Sequence, residues 1–331
     1  MRYRAAIAGC GLIGSEFSDS MQLPGVWSHA EAYSACQDIE FIAACDPDPE
    51  RVERCSRRWG VRGYRDLAGM LESENPEIVS ICTPDDTHYQ MIGEAIRHPS
   101  VRAVLAEKPL ATGNNQATDI VALAEARGVV LAVNYTRRYC PGFDRLGKLI
   151  ASGELGDIRT VSGYYTRGIL HNGSHWFELA HSLAGPIRKV TGFDRRQEGG
   201  PDPTLDALIE FESGASGFLH GCDASAYAIF EMDILASKGR ARIIDSGFRI
   251  EIYKVGASPF GAGYRRLEPA EAFPGEIGLA LPWAVGDLVD CLETGKTPRC
   301  PGRDALRAAS ASLAAIESAT CGRAIELKAR P

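Results

Sequence analysis

Glu107-Lys108-Pro109 closes a short apolar run, Val101-Arg102-Ala103-Val104-Leu105-Ala106, whose length suits a buried strand. Open α/β sheets bind their ligands at the carboxyl ends of parallel strands. A partly desolvated lysine held there acts as a general acid or base near neutral pH. On its own the tripeptide reads better as a salt-bridged lysine on a surface loop. A second group is His171-Asn172-Gly173-Ser174-His175, two histidines and an asparagine within five residues. It stands just before a predicted helix and reads as a substrate-site cluster, whereas His181, two turns further on, reads as packing.

Gly9-Cys10-Gly11-Leu12-Ile13-Gly14 reverses the surface-loop reading of Lys108. Alone, G-x-G-x-x-G is weak, because glycines are common at strand–helix turns. Here it follows an apolar strand, leads into a crossover, and precedes a second strand that ends in Asp46. In that setting the glycines make the turn, admit a pyrophosphate and let the following helix pack closely. Asp46 would accept hydrogen bonds from adenosine ribose hydroxyls and repel a 2′-phosphate. That favours NAD over NADP, with Arg51 keeping NADP possible. Asp46 lies further from Gly14 than the ~20 positions of the usual fingerprint, and an inserted loop at 15–27 accounts for the excess. Thr83-Pro84 follows another apolar run and can hold backbone close to the cofactor. His88 either joins it there or caps the next helix.

These residues need a parallel sheet to position them. Strand patterns at 3–8, 39–45, 78–82, 101–106 and 129–133 alternate with helical ones, as in a doubly wound fold. Ser28-His29-Ala30-Glu31 has the pattern of a capping box, so a helix is predicted from Ser28 to about Gln37. Asp48-Pro49 opens another, which ends at Gly60. After Tyr139 the texture changes. A helix near 142–151 precedes strands at 158–166, 187–193, 205–211, 215–223, 230–236, 240–245 and 248–255, interrupted by a helix at 174–184. Ser213-Gly214 and Lys238-Gly239 mark antiparallel hairpins. Helices at 282–293 and 303–320 and a strand at 324–328 close the chain. Trp176 and Trp283 are expected in cores.

The 331 residues suffice for two domains with sizeable cores. The expected division is a cofactor domain at 1–136 and a substrate domain at 137–331. A net charge of −7, with no basic cluster interleaved with aromatics, argues against nucleic acid. The ten cysteines never form a C-x-x-C pair, and Cys10, Cys45 and Cys82 fall in or beside predicted strands. They read as free thiols of a reducing compartment, with no metal-ligand grouping. The apolar start faintly imitates a signal peptide but is needed as the first strand. No segment approaches the ~20 apolar residues of a membrane span. The expectation is a cytoplasmic protein with neither a membrane nor a metal.

Together these motifs resemble the glucose–fructose oxidoreductase, inositol dehydrogenase and rhizopine-catabolism family of oxidoreductases. Asn134-Tyr135-Thr136-Arg137-Arg138-Tyr139, Gly153-Glu154-Leu155-Gly156 and the closing Gly322-Arg323-Ala324-Ile325-Glu326-Leu327 add to the match. The resemblance implies an α/β protein with an N-terminal Rossmann doubly wound parallel sheet. It implies a C-terminal α+β domain with a large, open, mostly antiparallel sheet, through which a homodimer or homotetramer would form. It assigns Lys108 and His175 to proton transfer. Gly9, Gly11, Leu12, Ile13, Gly14, Asp46, Thr83, Pro84, His88, Glu107 and Asn134 go to the cofactor, and Arg138, His171 and Asn172 to a sugar-like substrate. Sharing its proton near pH 7 requires the Lys108 pKa to fall by ~3 units, about 4 kcal/mol. A cationic nicotinamide would help and a facing carboxylate would oppose, so Glu107 is assigned to the cofactor or its ribose. One departure stands out: family members that oxidise polyols commonly have an aspartate where this chain has His171.

The resulting expectation is an NAD(P)-dependent oxidoreductase moving hydride between nicotinamide and a secondary alcohol or ketone of a sugar, cyclitol or sugar-derived metabolite. A non-catalytic NAD-binding sensor and an NAD-dependent glycoside hydrolase are the alternatives.

Overall fold

Apolar runs bounded by capping and turn residues set the elements of this chain. The computed structural model describes residues 2–197, 199–261 and 263–327. By contact the chain divides into two units, Met1–Cys140 with Ile277–Leu306, and Pro141–Glu276 with Arg307–Pro331. A single cut near residue 136 does not describe this division, because the chain returns to the first unit after finishing most of the second.

The first unit contains β1 (Tyr3–Ala8), α1 (His29–Ala35), β2 (Ile39–Cys45), α2 (Pro49–Trp59), β3 (Arg62–Tyr64) and α3 (Leu67–Glu74). It continues with β4 (Ile78–Ile81), α4 (His88–Arg97), β5 (Ala103–Ala106), α5 (Asn114–Arg127) and β6 (Val130–Val133). The strands pair in parallel in the order β3-β2-β1-β4-β5-β6. Strand order reverses between β1 and β4, the place where such sheets hold nucleotides. β4 and β5 are buried along their whole length, which is why they read as unbroken apolar runs.

Local chemistry explains the helix starts. The Ser28 hydroxyl accepts from Glu31 N, 3.3 Å, while the Glu31 carboxylate accepts from Trp27 N, 3.2 Å, one residue outside the expected box. Asp48 accepts from the Glu50 and Arg51 amides, with Pro49 in the first turn, and left-handed Gly60 ends the helix. β3 and α3 have no counterpart in the expected pattern. β3 is only three residues long, and α3 is started by Asp66 and closed by left-handed Asn75. β5 begins two residues later than expected because Arg102 N bonds Glu77 O, 2.8 Å, in the preceding turn. The 15–27 segment is tied down at both ends. Glu16 and Asp19 pair with Arg54 and Arg58 of α2, and Val26 N bonds Gly278 O.

The second unit contains α6 (Pro141–Ala151), β7 (Ile158–Tyr165), α7 (Ser174–Ala184), β8 (Ile187–Phe193), β9 (Asp206–Phe211) and β10 (Ser216–Gly221). β11 (Phe230–Ala236), β12 (Gly239–Ile244), β13 (Arg249–Ala257) and β14 (Arg265–Pro274) follow. The chain then forms α8 (Ala280–Thr294), α9 (Gly302–Cys321) and β15 (Ile325–Glu326). Among the described residues the sheet has nine strands, ordered β14-β13-β12-β11-β7-β10-β9-β8-β15, with β7 and β10 its parallel pair. β11 and β12 alternate buried and half-exposed residues, the mark of a sheet with one covered face. α9 lies against β8, where Ser318 Oγ accepts from Gly192 N, 3.0 Å. β14 was not expected: its charges and Pro269 suit an exposed edge. Of the terminal strand expected at 324–328, Lys328 lies outside the described residues.

α8 packs on α1, β5 and β6 of the first unit, and Pro301 pairs antiparallel with Ala132 at the β6 edge. Trp176 is fully buried as expected, but Trp283 is 40% exposed beneath the Arg299 guanidinium, 5.3 Å from its ring. All ten cysteines are free. Among the described residues, no helix is long and apolar enough to cross a membrane, and no cluster of His, Cys, Asp and Glu suits a metal ion.

Candidate active site

β1 delivers the glycine turn to the sheet's crossover point, and the three glycines serve different ends. Gly9 has φ +98°, and a Cβ there would sit 2.4 Å from Cys82 O. A Cβ on Gly14 would sit 2.0 Å from Gly9 O. Both are glycine because the protein itself crowds them. Gly11 is different: the nearest atom to its Cβ position is Arg51 Nη1 at 3.7 Å, an ordinary contact. Its open side has the form of a pyrophosphate cradle that a side chain would fill. Leu12 follows, 59% exposed, in a π-helical turn over Leu12–Glu16. Asp46 stands beside the turn, buried, with Oδ2 accepting from Cys10 N and Oδ1 from Asp48 N, both 2.9 Å. Each oxygen keeps acceptor capacity for a ribose hydroxyl. The residues present therefore fit an adenosine dinucleotide.

The lysine loop is built on a buried polar chain. Lys108-Pro109 is a cis peptide. His88 is fully buried and faces two carbonyl oxygens, Pro109 O at 2.6 Å and Thr83 O at 2.8 Å. It ties the loop after β4 to the loop after β5, so its expected place at the cofactor is corrected to a support beneath it. Glu107 also has support within the unit. Its Oε1 lies 3.0 Å from His29 Nε2 and 2.6 Å from Asn134 Nδ2, inside the unit. His29 Nδ1 lies 2.8 Å from Ser80 Oγ, which lies 2.6 Å from the Tyr33 hydroxyl.

Burial pushes the Tyr33 phenol up, so it donates to Ser80. An ionised Glu107 carboxylate can only accept, so His29 Nε2–H donates to it, while His29 Nδ1 is held by Ser80. Burial also pushes the Glu107 carboxyl up. His29, Asn134 and the charge of Lys108 outweigh that and hold it below the ordinary carboxylate value. A fixed buried anion therefore stands next to Lys108. Asn134 Oδ1 is buried without a hydrogen-bond partner among the described residues.

Arg138, expected at the substrate, bonds the Arg299 carbonyl and the Asp304 carboxylate, the latter at 3.1 Å. It ties the turn Thr136–Tyr139 to the start of α9.

In the second unit, β7 is followed, after Thr166, by two consecutive left-handed residues, Arg167 at φ +67° and Gly168 at φ +74°. They turn the chain into a π-helical turn, Gly168–Gly173, that runs straight into α7. His171 is exposed and Asn172 and His175 are half-exposed, while Trp176, Phe177, Leu179 and Ala180 bury the opposite side. Three consecutive residues before β9 take up the amides at the start of this run. Gly168 N bonds Thr204 Oγ1 (3.2 Å) and Ile169 N bonds Pro203 O (2.9 Å). Leu170 N and His171 N bond the two oxygens of Asp202, at 2.6 and 2.9 Å. The expected pattern contained neither Asp202 nor His29. A histidine inside a predicted capping box was the one local signal for the latter.

A doubly wound sheet with a glycine cradle, a strand-end acid and a supported lysine defines a nucleotide-dependent oxidoreductase. The chain belongs to the GFO/IDH/MocA oxidoreductase family: residues 3–135 match its NAD-binding Rossmann fold and residues 167–242 its C-terminal domain. It is 25% identical to D-apiose dehydrogenase of Paraburkholderia graminis, over 99% of this chain and 90% of that one. It is 24% identical to scyllo-inositol 2-dehydrogenase (NAD(+)) of Bacillus subtilis, over 98% and 96%. Its fold matches the WlbA dehydrogenase of Bordetella pertussis, crystallised with NADH and UDP-GlcNAcA, with TM-score 0.82, 21% identity and 99% of each chain covered.

Proposed function

We propose that this chain is a cytoplasmic, NAD-dependent oxidoreductase acting on a secondary alcohol or ketone of a sugar, cyclitol or sugar-derived metabolite. The observation that carries the reading is the glycine cradle and the strand-end lysine presented by one sheet, the lysine flanked by a buried, fixed carboxylate. When bound, the nicotinamide supplies the acceptor or donor of hydride. Lys108 takes the proton from the substrate oxygen, or returns it; the Glu107 anion beside it favours the protonated lysine, and the cationic nicotinamide would offset that. His175 is the second proton-handling group, and His171 and Asn172 bind substrate hydroxyls. Asp46 favours NAD by accepting ribose hydroxyls, and Arg51 beside Gly11 leaves NADP as a weaker alternative.

The second copy in a homodimer or homotetramer would cover the open face of the nine-stranded sheet. Tyr164, Phe218 and Leu235 stand exposed there, with His220 stacked between the two rings at 5.6 and 5.1 Å.

Absorbance of reduced nicotinamide with NAD and a panel that includes D-apiose and scyllo-inositol tests the reading. Net NADH is expected. Hydrolysis without it would instead indicate a glycosidase, and neither would indicate a sensor. Lys108→Ala is expected to bind NADH normally and lose turnover; undiminished turnover refutes the assignment of Lys108.

A further inference from the structure

We propose that Asp202 is the positioning residue of the histidine-bearing turn, holding His171, Asn172 and His175 where they meet substrate. This rests on the reading of that turn as the substrate side. The first amides of a helix have no partner within it. Here Asp202-Pro203-Thr204 takes four in succession, and the carboxylate takes the two nearest the histidines. Hydrogen bonds to an ionised acceptor are roughly twice as strong as neutral ones, and a two-oxygen grip fixes orientation as well as distance.

The grip is itself anchored. Tyr165, fully buried at the end of β7, accepts from Leu205 N at 2.9 Å and donates to Leu205 O at 2.8 Å. Asp202 thus stands three residues from a fixed point. Gly168 makes room for it, since a Cβ there would lie 2.1 Å from Asp202 Oδ2. Left-handed entry at Arg167 and a π-helical turn are backbone states that persist only under such restraint. The arrangement also brings an acid to the backbone of position 171, where the side chain is a histidine.

The test uses full-length protein with ¹⁵N-labelled histidine, and the variants Asp202→Ala, Asp202→Asn, Thr204→Val and His175→Ala. In Asp202→Ala, amide hydrogen exchange at 170 and 171 is expected to quicken about tenfold or more. The imidazole signals of His171 and His175 should shift or broaden while those of His29 and His88 stay. Asp202→Asn keeps one acceptor oxygen and should fall between. Thr204→Val removes only the Gly168 bond and should leave both signals in place. On turnover, Asp202→Ala should lower kcat about tenfold with NADH affinity unchanged. Unmoved signals and unchanged exchange in Asp202→Ala would overturn the proposal, as would equal shifts in Thr204→Val. Full turnover in His175→Ala would instead overturn the substrate-side reading, leaving the exchange result to stand or fall by itself.

Discussion

Replacing His29 by phenylalanine keeps most of the volume and removes the donor that reaches Glu107 at 3.0 Å. The carboxylate keeps Asn134 at 2.6 Å and the charge of Lys108, so it is not left wholly uncompensated. Breaking a buried charged pair costs about 3–5 kcal/mol when nothing else remains. One hydrogen bond to a charged group is worth about 1.5–3 kcal/mol. With two partners surviving, the lower range applies, and His29→Phe is expected to cost about 2–3 kcal/mol of stability. Glu107→Gln alone removes the charge that His29 and Lys108 were placed to serve. If His29 donates to Glu107, the two substitutions share that loss. The double variant should then be more stable than the sum of the singles by at least about 1.5 kcal/mol. Urea unfolding followed by circular dichroism and tryptophan fluorescence gives the cycle, with coincident transitions as the condition for reading energies. Additivity within about 0.5 kcal/mol would refute the coupling of His29 to Glu107.

Two further outcomes follow from the site. Gly11→Ala meets no atom closer than 3.7 Å in the protein, so it should melt like the parent yet lose NADH binding in fluorescence titration. A matching drop in melting temperature would mean the residue serves packing instead. Acid should weaken the fold partly through Glu107. Its folded pKa lies below the unfolded value of about 4.3, so its contribution is present above that pH and is lost as pH falls through the folded value. Glu107→Gln should therefore show a shallower loss of stability below about pH 5 in denaturation series; an equal slope would contradict the depressed carboxyl.

What could be read from sequence was chemistry that closes locally. Asp48-Pro49 to Gly60 framed α2 because cap, first turn and left-handed stop all lie within one helix. The Rossmann strands were legible because burial on both faces leaves apolar runs. The polar supports were not. His29 lies 78 positions from Glu107, and Asp202 lies 31 from His171. Nothing in either neighbourhood requires those partners. Glu107 and His88 were placed in the right part of the molecule, but which side of the loop they faced depended on long-range bonds. The pairing of Arg138 with Asp304 was hidden for the same reason, since the two lie 166 positions apart. Trp283 looked like core because tryptophan usually is; the cation above it let it stay at the surface.

The return of residues 277–306 to the first unit has a consequence for how the protein is made. β6 gains its edge partner only when Pro301 arrives, and α8 covers α1, β5 and β6 only after the other sheet's strands through β14 have been synthesised. On the ribosome, the nucleotide half begins first and finishes late, holding an open strand edge while the intervening strands β7 to β14 emerge. A fragment ending near residue 140 carries every glycine of the fingerprint and still lacks the flank that closes its sheet. The two halves are interleaved in sequence, each completed by a segment that follows the other.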